Sequence, residues 1–376
     1  MDSQKYWHLV VSTKWSGLLV DSKEQTLEKE QGDEEHYPLD KKTSTYFREK
    51  SKGGTNSKSA IIPQITKDYL TGHLLTKLVP SVYTLVICVA LPLNVTAIII
   101  FIFRVKVMKP AVVYMLNLAI ADVLFVISLP FIITYRFSGN DWLLGEGMCR
   151  IVTAAFYCNM YCSILLMTSI SVDRFLAVVY PIRSLHWRTT TRAWVVCIFV
   201  WILSISSNVP LFLTRQTYFI GNLNTTTCHD VQSMELRNFH LYYDTTFISI
   251  FFFLPFIVTT FCYIGVIRKI SSLGSGSKLK KSRAVVLTVT VLCVFVICFG
   301  PTHIILLIHT FGYNDIDNGF LYFAYVICAC ISSISCCIDP LIYYYGSLKC
   351  QEHLHNLLCC KMNSGSEGST LLALTK

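Results

Sequence analysis

Residues 82–103 read VYTLVICVALPLNVTAIIIFIF and contain no acidic or basic side chain. A helix needs about 20 predominantly apolar residues to cross a bilayer, so this stretch is long enough. Six more such stretches follow, at 111–135, 150–172, 193–213, 246–267, 284–309 and 320–345. The sequence therefore predicts an all-α protein, a seven-transmembrane helix bundle whose spans we number one to seven.

The distribution of charge separates a polar tail from an apolar body. Of the 376 residues, 53% are hydrophobic and 15% are charged, whereas ordinary soluble domains are about 25% charged. Residues 1–59 contain ten basic and ten acidic side chains, and the other 317 residues contain 22 basic and 13 acidic ones. This pattern excludes a soluble two-domain enzyme and argues against a nucleic-acid-binding protein. No nucleophile–His–carboxylate arrangement or phosphate-binding loop indicates an enzyme.

Lysine and arginine in the connecting loops orient the bundle. The first, third and fifth connections and the C-terminal tail, with Arg174, hold 16 basic and three acidic residues. The opposite side, counted from residue 60, holds six basic and eight acidic residues. Basic loops stay in the cytoplasm, so we expect a multi-pass plasma-membrane protein with an extracellular N-terminus. The chain then divides into an outer, largely disordered tail (1–78), a bundle (79–345), and a short amphipathic helix with a cytoplasmic tail (346–376).

The start of the chain is unusual for a protein with an outer tail. Residues 1–20 contain only two short apolar pieces, Trp7–Val11 and Leu18–Val20, which make a poor signal peptide. Either span one acts as the signal anchor or the native start lies elsewhere, and we favour the second explanation.

Two of the 16 cysteines are expected on the oxidising side of the membrane. Cys149 lies at the outer end of span three and Cys228 in the second outer loop, so we expect a disulfide, with two free thiols as the alternative. The other cysteines lie in apolar spans or in the cytoplasmic tail. In the tail, Cys359 and Cys360 follow an amphipathic segment, which suits palmitoylation of a helix on the inner leaflet. The alternative is two unmodified cysteines.

The segment Asn224-Thr225-Thr226 in the second outer loop is an acceptor sequence for N-glycosylation. Asn94-Val95-Thr96 matches the same pattern inside span one, where no glycan can be attached. The pattern is therefore weak alone, and its position outside the membrane makes Asn224 the candidate.

Ionisable residues inside a membrane are costly, so each needs a reason. Asp122 in span two and Asp339 in span seven are buried carboxylates, with Asn94 as a polar neighbour in span one. They could share water, a sodium ion or a proton, or form a hydrogen-bonded packing network without an ion. Asp173 and Arg174, at the cytoplasmic end of span three, could form a plain salt bridge.

Proline interrupts five of the spans and permits kinks, because each proline removes a backbone hydrogen bond. These residues are Pro92, Pro130, Pro255, Pro301 and Pro340. Kinked helices around a polar interior are typical of a bundle that switches between two packings, and also of a transporter or channel. The chain lacks the paired repeats of many transporters, which favours the first interpretation.

Short motifs in each span, taken in order, make residues 78–360 resemble the rhodopsin-like G-protein-coupled receptors. The motifs are Asn94, Leu118-Ala119-Ile120-Ala121-Asp122, Cys149, Asp173-Arg174-Phe175, Trp201, Pro255 with Tyr263, Phe295-x-x-Cys298-Phe299-x-Pro301, and Asp339-Pro340-x-x-Tyr343. The resemblance implies that Arg174 meets the G protein when span six swings outward, while Tyr263 and Tyr343 stabilise the open state. The implied coupling and switch residues are Asp173, Arg174, Tyr263, Phe299, Pro301, Asp339, Pro340 and Tyr343. Phe175 replaces the usual Tyr, and Asp339 the usual Asn.

A second set of motifs narrows the resemblance to the proteinase-activated receptors of the thrombin-receptor type. The set comprises Asp339 and the segments 106–115, 156–161, 228–231 and 335–345. In that family a serine protease cuts the outer tail, and the new N-terminus folds back as a tethered agonist. The implied partners are an extracellular serine protease, heterotrimeric G proteins, arrestin and the lipid bilayer. No cofactor is implied, apart from a sodium ion near Asp122 and Asp339.

The outer tail contains a segment similar in layout to the cleavage site of that family. Leu39-Asp40-Lys41-Lys42-Thr43 predicts a cut between Lys42 and Thr43, which makes Thr43-Ser44-Thr45-Tyr46-Phe47-Arg48 the agonist. A flexible linker of about 36 residues has an r.m.s. span of roughly 33 Å, so the agonist can reach an outer pocket. A cut after Lys58 is one alternative, and an ordinary solvated tail is another.

The predicted cleavage site departs from the preference of thrombin. Lys42 stands where thrombin prefers Arg, no Pro precedes it, and no acidic cluster follows. A trypsin-like protease is therefore as plausible as thrombin.

The resemblance also implies an outer ligand pocket. Its residues would be Tyr157, Asp230, Glu235, His309, Tyr322 and Tyr325. Asp230 and Glu235 could receive the new amino terminus or Arg48, and the aromatic rings would pack against Phe47. Thr310 stands where the close relatives have Tyr. The alternative function is a receptor of the same class for a diffusible peptide, nucleotide or lipid.

Overall fold

The apolar stretches form helices, because a helix satisfies its own backbone N–H and C=O groups where hydrocarbon cannot. In the computed structural model, the described part of the chain has seven helices that are long and apolar enough to cross a membrane. These spans are Leu74–Arg104, Pro110–Phe137, Gly145–Val179, Thr190–Leu213, Thr245–Ser272, Val285–Ile308 and Phe323–Gly346. The predicted seven-span bundle is confirmed, with helix ends displaced by up to eight residues from the predicted apolar stretches.

The structure describes residues 46–47, 68, 70–105, 108–230, 232–233, 245–272, 278–311, 318–346 and 351, without the side chains of 46–47, 232–233, 278–284, 309–311, 318–319 and 322. Most of the outer tail and most of the cytoplasmic tail lie outside these residues. Cys359 and Cys360 and most of the predicted amphipathic segment therefore lie outside the described residues. The division of the chain at residues 78 and 345 stays a prediction.

Short π-helical turns and breaks divide several spans into shorter helices. Within the described residues, the helical pieces in chain order are Leu74–Leu78 (π), Val79–Ile99, Ile100–Arg104 (π), Pro110–Phe137, Gly145–Val179, Pro181–Trp187, Thr190–Ser206, Val209–Leu213, Ser249–Phe253 (π), Leu254–Ser272, Lys278–Cys293, Val294–Phe299 (π), Gly300–Phe311, Asn318–Ser333 and Ser335–Gly346. The π-helical turn of span six comes just before Pro301. Proline has no N–H to donate, and its ring clashes with the preceding turn of a regular α-helix. The backbone hydrogen bonds of span six therefore change to the π-helical pattern before Pro301.

Span three connects the two surfaces of the membrane. It has 35 residues, which corresponds to a length of roughly 52 Å, compared with about 30 Å for the hydrocarbon core. Cys149 therefore lies near the outer surface, and Asp173 and Arg174 lie near the cytoplasmic surface. One rigid helix carries residues of both ends of the bundle.

The bundle exposes apolar side chains and buries polar ones. Leu85 and Phe103 are 62% and 77% exposed on the outside of span one, where lipid contacts them. The interior combines a packed apolar cluster around Phe295 and Phe299 with buried polar side chains such as Asp122. This arrangement is expected of a protein embedded in a bilayer.

Four short strands accompany the helices in the described part of the chain, and the all-α prediction did not include them. They are β1 (Tyr46–Phe47), β2 (Thr217–Ile220), β3 (Thr225–Cys228) and β4 (Gln232–Ser233). Strands β2 and β3 form an antiparallel hairpin in the second outer loop, and β1 pairs with β4 in parallel. Threonine favours strands, and Asn224 turns the hairpin at φ +55°, a left-handed conformation that Asn tolerates.

Two links attach the hairpin to the outer end of span three. The predicted disulfide between Cys149 and Cys228 is present. Glu146 accepts hydrogen bonds from the backbone N–H groups of Gln216 and Thr217, at 2.8 and 2.9 Å. Both strands of the hairpin are thus tied to one helix.

We expect Cys228→Ser to destabilise the fold by about 2–5 kcal/mol, because the disulfide joins residues 79 apart and restricts the unfolded chain. The measurement is the melting temperature of the purified protein in detergent. Cys293→Ser is the matched control, since Cys293 is an exposed free cysteine in the sixth span. An equal melting temperature in both variants would contradict this account of the loop.

Candidate functional site

A cavity opens at the outer end of the bundle. Its void measures about 640 Å³ when the open solvent at its mouth is included. Its wall is built by spans one, two, three and seven together with the first and second outer loops. The lining residues are Tyr83, Ile132, Tyr135, Arg136, Trp142, Val152, Thr153, Phe156, Tyr157, Cys228, His229, Asp230, Tyr325, Val326 and Ala329.

Three of the six predicted pocket residues line this cavity, namely Tyr157, Asp230 and Tyr325. The hydroxyl groups of Tyr157 and Tyr325 lie 2.5 Å apart, so a hydrogen bond connects spans three and seven. The Tyr157 hydroxyl also lies 3.1 Å from Nε2 of His229 in the second outer loop. These contacts form a polar cluster on one wall of the cavity.

The other predicted pocket and tail residues are only partly described. Glu235 lies outside the described residues, as do Lys42, the agonist residues 43–45, and Arg48. His309 and Tyr322 lie on the helices Gly300–Phe311 and Asn318–Ser333, and their side chains are not described. The backbone of Tyr46 and Phe47 forms β1. Their roles stay predictions.

Asp230 is bound to a cation of the chain itself. Its carboxylate accepts hydrogen bonds from Nη1 and Nη2 of Arg136, at 3.1 and 3.0 Å, and from the hydroxyl of Tyr135. The side chains of Arg136 and Asp230 are 9% and 4% exposed, so this ion pair is buried. The resemblance implied that Asp230 could receive the amino group of the agonist. In the structure, the cation bound to Asp230 is Arg136, at the end of span two.

Polar side chains of spans two, three and seven meet at the centre of the bundle. The hydroxyl of Tyr343 donates to Oδ2 of Asp122, and Nδ2 of Asn159 donates to Oδ1, both at 3.3 Å. Ser163 donates to Oδ1 of Asn159 at 3.1 Å. The carboxylate of Asp122 is therefore held in a hydrogen-bonded network, as both sequence interpretations require.

Asn94 connects span one with span seven, and the carboxyl group of Asp339 lies close to that of Asp122. Nδ2 of Asn94 donates to the backbone oxygens of Cys336 and Ala90, at 2.9 and 3.0 Å. Three buried oxygen atoms at this place accept no hydrogen bond from the described residues. They are the two carboxylate oxygens of Asp339 and Oδ1 of Asn94. Buried oxygens without donors suit a small hard cation, a water molecule or a shared proton. The residues present therefore fit the predicted sodium ion.

Asp173 and Arg174 bind different partners at the cytoplasmic end of span three. Asp173 accepts hydrogen bonds from Nε and Nη2 of Arg188 in the second inner loop, at 2.7 and 2.8 Å. These bonds raise the pKa of Arg188, so its guanidinium stays charged. Arg174 donates from Nη2 to the backbone oxygen of Gly346, at the end of span seven, at 2.7 Å. The two adjacent charges thus restrain two separate elements.

The remaining predicted switch residues lie in spans five, six and seven. Tyr263 and Phe299 are buried, and the Phe299 ring packs edge-on against Phe295 with centroids 6.4 Å apart. Pro301 follows the π-helical turn of span six, and Pro340 lies within the helix Ser335–Gly346. Their positions agree with a kinked inner core, and their switching role stays a prediction.

Arg136 and Arg188 were not predicted as site residues. Predicted span two ended at residue 135, so Arg136 was counted among the outer-loop charges. A basic residue directly at a span end, within reach of a carboxylate in a neighbouring loop, was the available signal. The identity of its partner depends on the tertiary structure.

Comparison with known proteins supplies the deciding observation. Residues 93–343 match the family described as 7 transmembrane receptor (rhodopsin family). Proteinase-activated receptor 1 of Xenopus laevis is 58% identical over 319 residues, which are 84% of this chain and 75% of that protein. Proteinase-activated receptor 1 of Homo sapiens is 55% identical over 307 residues, covering 81% and 72%. Proteinase-activated receptor 2 of Homo sapiens is 38% identical over 315 residues, covering 82% and 79%.

The chain belongs to the proteinase-activated receptor family. It is a G-protein-coupled receptor of the rhodopsin type, activated by proteolytic cleavage, and it is not an enzyme. The predicted family, fold, general function and multi-pass plasma-membrane location are confirmed. A protease activator and heterotrimeric G proteins are its partners by family membership. Glycosylation of Asn224 and palmitoylation of the receptor stay predictions.

We expect Asn94→Ala to destabilise the receptor by about 1–3 kcal/mol, because the backbone oxygen of Cys336 then stays buried without its donor. The melting temperature of the purified receptor measures this loss. Thr96→Ala is the matched control, since Thr96 is a half-buried residue of the same helix. The bridging role of Asn94 is wrong if both variants melt together.

Proposed function

We propose that a trypsin-like serine protease cuts the receptor between Lys42 and Thr43, and that residues 43–48 then act as the tethered agonist in the outer cavity. The pairing of β1 with β4 carries this proposal. Tyr46 pairs with Gln232 and Phe47 with Ser233, in parallel. The agonist segment thus lies on the second outer loop, and β4 begins two residues after Asp230 in the cavity wall.

The direction of this pairing favours the cut at Lys42. In a parallel ladder, the residues before Tyr46 run beside the residues before Gln232. Extending the register by two residues after cleavage brings Ser44 opposite Asp230, which lines the cavity. The new amino terminus then enters the cavity. A cut after Lys58 would instead remove β1 from the receptor.

Main-chain pairing with a loop strand is a known mode of peptide recognition, in which backbone hydrogen bonds provide affinity and side chains provide selectivity. A tether supplies an effective concentration in the millimolar range, so a weak contact is sufficient. Thrombin is the less suitable protease, because Lys42 stands where it prefers Arg, without a preceding Pro or a following acidic cluster.

On the cytoplasmic face, we propose that Arg174 reaches the G protein after it leaves the backbone oxygen of Gly346. The hydrogen bond between them supports a resting state in which span seven covers Arg174. We further propose that arrestin binds the same face, and that Cys359 and Cys360 carry palmitoyl groups. Asn224 is exposed in its turn, which supports glycosylation there.

At the bundle centre, we propose a sodium ion between Asp122 and Asp339. Two buried carboxylates repel one another when both are ionised, and a cation relieves that repulsion. The partnerless oxygens of Asp339 and Asn94 support a ligand at this position. The chemistry supplied by the ion is charge compensation, which favours the resting packing of the spans that it joins.

We expect the change of Lys41 and Lys42 to Ala to abolish at least 90% of the calcium response of transfected cells to trypsin, because no agonist is released. Lys58→Ala is the matched control and keeps the full response. Surface amounts are compared with an antibody to an added C-terminal tag. A full response in the double variant removes this cleavage site from the proposal.

The synthetic amide of residues 43–48 tests the agonist directly, and it should activate the uncut receptor. N-methylation removes one backbone N–H donor, at Tyr46 in one peptide and at Phe47 in a second peptide. The N–H groups of successive strand residues point to opposite sides, so only one of the two methylated peptides should lose potency, by about tenfold. Equal potency of both methylated peptides argues against pairing with β4, and no response to any peptide argues against this agonist.

We expect replacement of about 0.15 M sodium by choline to increase agonist potency several-fold in the unaltered receptor, because the ion favours the resting state. Asp339→Asn should remove this sodium dependence, since a neutral amide binds the ion poorly. Cys337→Ala, two residues earlier in the same helix, is the control and keeps it. Undiminished sodium dependence in Asp339→Asn contradicts the proposed site, and a dependence on pH alone favours a shared proton.

A further inference from the structure

Side-chain hydrogen bonds join spans six and seven at the proline kink of span six. The hydroxyl of Ser332 in span seven donates to the backbone oxygen of Cys298 at 2.6 Å, and it lies 2.8 Å from the hydroxyl of Thr302. A serine hydroxyl has one hydrogen, so Thr302 is the donor in the second bond. One side chain of span seven therefore contacts span six on both sides of Pro301.

Span six gains an outside donor where proline interrupts its own hydrogen bonds. Pro301 has no N–H, so the turn before it is one donor short. That turn is the π-helical segment Val294–Phe299, which contains Cys298. Ser332 and Thr302 are buried, at 3% and 1% exposure. Bulk water therefore cannot replace the bond when the hydroxyl of Ser332 is removed.

Span seven is interrupted beside the same bonds. Its outer helix, Asn318–Ser333, ends one residue after Ser332, and its inner helix, Ser335–Gly346, begins two residues later. Interruptions of this kind are the places at which a helix bends. The hydrogen bonds of Ser332 thus connect the bending point of span seven with that of span six.

The outer helix of span seven also forms part of the outer cavity. Tyr325 and Ala329 line the cavity. They precede Ser332 by seven and three residues, so the three side chains lie on one face of the helix, about two turns and one turn apart. A single helical face therefore runs from the cavity wall to the kink of span six.

We propose that Ser332 is a positioning residue for activation, which transmits a displacement of span seven at the outer cavity to the proline kink of span six. Phe299, a predicted switch residue, directly follows Cys298 in the turn that Ser332 holds. Coupling between two sites requires an element that both of them move, and the joined bending points of spans six and seven are that element. The proposal requires activation by cleavage, which family membership provides, and it does not depend on residues 43–48 being the agonist.

The first test measures how strongly proteolysis activates each variant. The full-length receptor is purified in lipid nanodiscs, and nucleotide exchange on a heterotrimeric G protein is timed before and after limited trypsin treatment. The ratio of the two rates is the activation ratio, and each preparation is its own reference for the amount of folded receptor. The variants are Ser332→Ala, Thr302→Val and the combination of both.

Ser333→Ala is the matched control. Ser333 is the next residue and is equally buried, at 2% exposure. Its hydroxyl donates to the backbone oxygen of Ala329 in its own helix, at 3.1 Å. The control therefore removes a buried hydroxyl that does not join two spans.

Ser332→Ala should lower the activation ratio about tenfold, because both contacts with span six are lost. Thr302→Val should lower it about threefold, since the bond to Cys298 stays. The combined variant should match Ser332→Ala, because the Thr302 hydroxyl acts through Ser332. Ser333→Ala should keep the ratio within about twofold. An unchanged ratio in Ser332→Ala, or an equal loss in Ser333→Ala, would overturn the proposal.

The second test needs neither protease nor G protein. Hydrogen exchange of the backbone amides of residues 294–299 is compared in the uncut receptors. Exchange should be about fivefold faster in Ser332→Ala than in Ser333→Ala, because the turn before Pro301 has lost its outside donor. Equal exchange in the two variants contradicts the proposed hold on span six. Faster exchange together with an unchanged activation ratio shows that the bonds only stabilise the fold, and it refutes transmission through Ser332.

Discussion

Hydrocarbon offers no hydrogen-bond partner to a peptide group, and this constraint governs the whole receptor. Each apolar stretch has to become a helix, and each polar side chain within a span has to find a partner inside the bundle. The centre therefore gathers Asn94, Asp122 and Asp339, although they come from three different spans. Groups that are costly to bury are thus retained at the place where spans one, two and seven meet.

The outer end of the bundle has a different basis, because water is available there and loops can be tolerated. The second outer loop is nevertheless held closely, by the disulfide to Cys149, by Glu146 and by the pair of Arg136 with Asp230. A loop that is held at three points offers a conformationally restrained surface to a peptide that lies along it. This restraint reduces the conformational entropy that the loop itself loses when a peptide binds. The cytoplasmic end is restrained in a similar way, because Arg174 donates a hydrogen bond to the backbone oxygen of Gly346, the last residue of span seven.

Much of this architecture could be predicted from the residues alone. Span lengths follow from hydropathy, the orientation follows from basic loops, and the disulfide follows from the two cysteines on the oxidising side. Helix ends were less accurate, since Gly145–Val179 extends beyond its apolar stretch. The hairpin of the second outer loop was missed, because its strands are four residues long and the surrounding pattern is helical.

The sequence alone could not predict which partners the charged side chains bind. Arg136 and Asp230 are 94 residues apart in the chain, and Asp173 finds Arg188 rather than the adjacent Arg174. Sequence proximity does not decide such pairs, because they depend on how loops and helix ends meet after the spans have packed.

The amino-acid sequence by itself determined that this protein is a seven-span receptor of its family, because hydropathy, loop charge and span motifs are local properties of the chain. It also predicted a cleavage site and an agonist segment at residues 42–48, from the resemblance to the family. Only the tertiary structure decided that Asp230 is already neutralised by Arg136, and that β1 runs parallel to β4 beside the cavity. The physical reason is that charge pairing and strand register depend on distances between segments remote in sequence, which packing alone establishes.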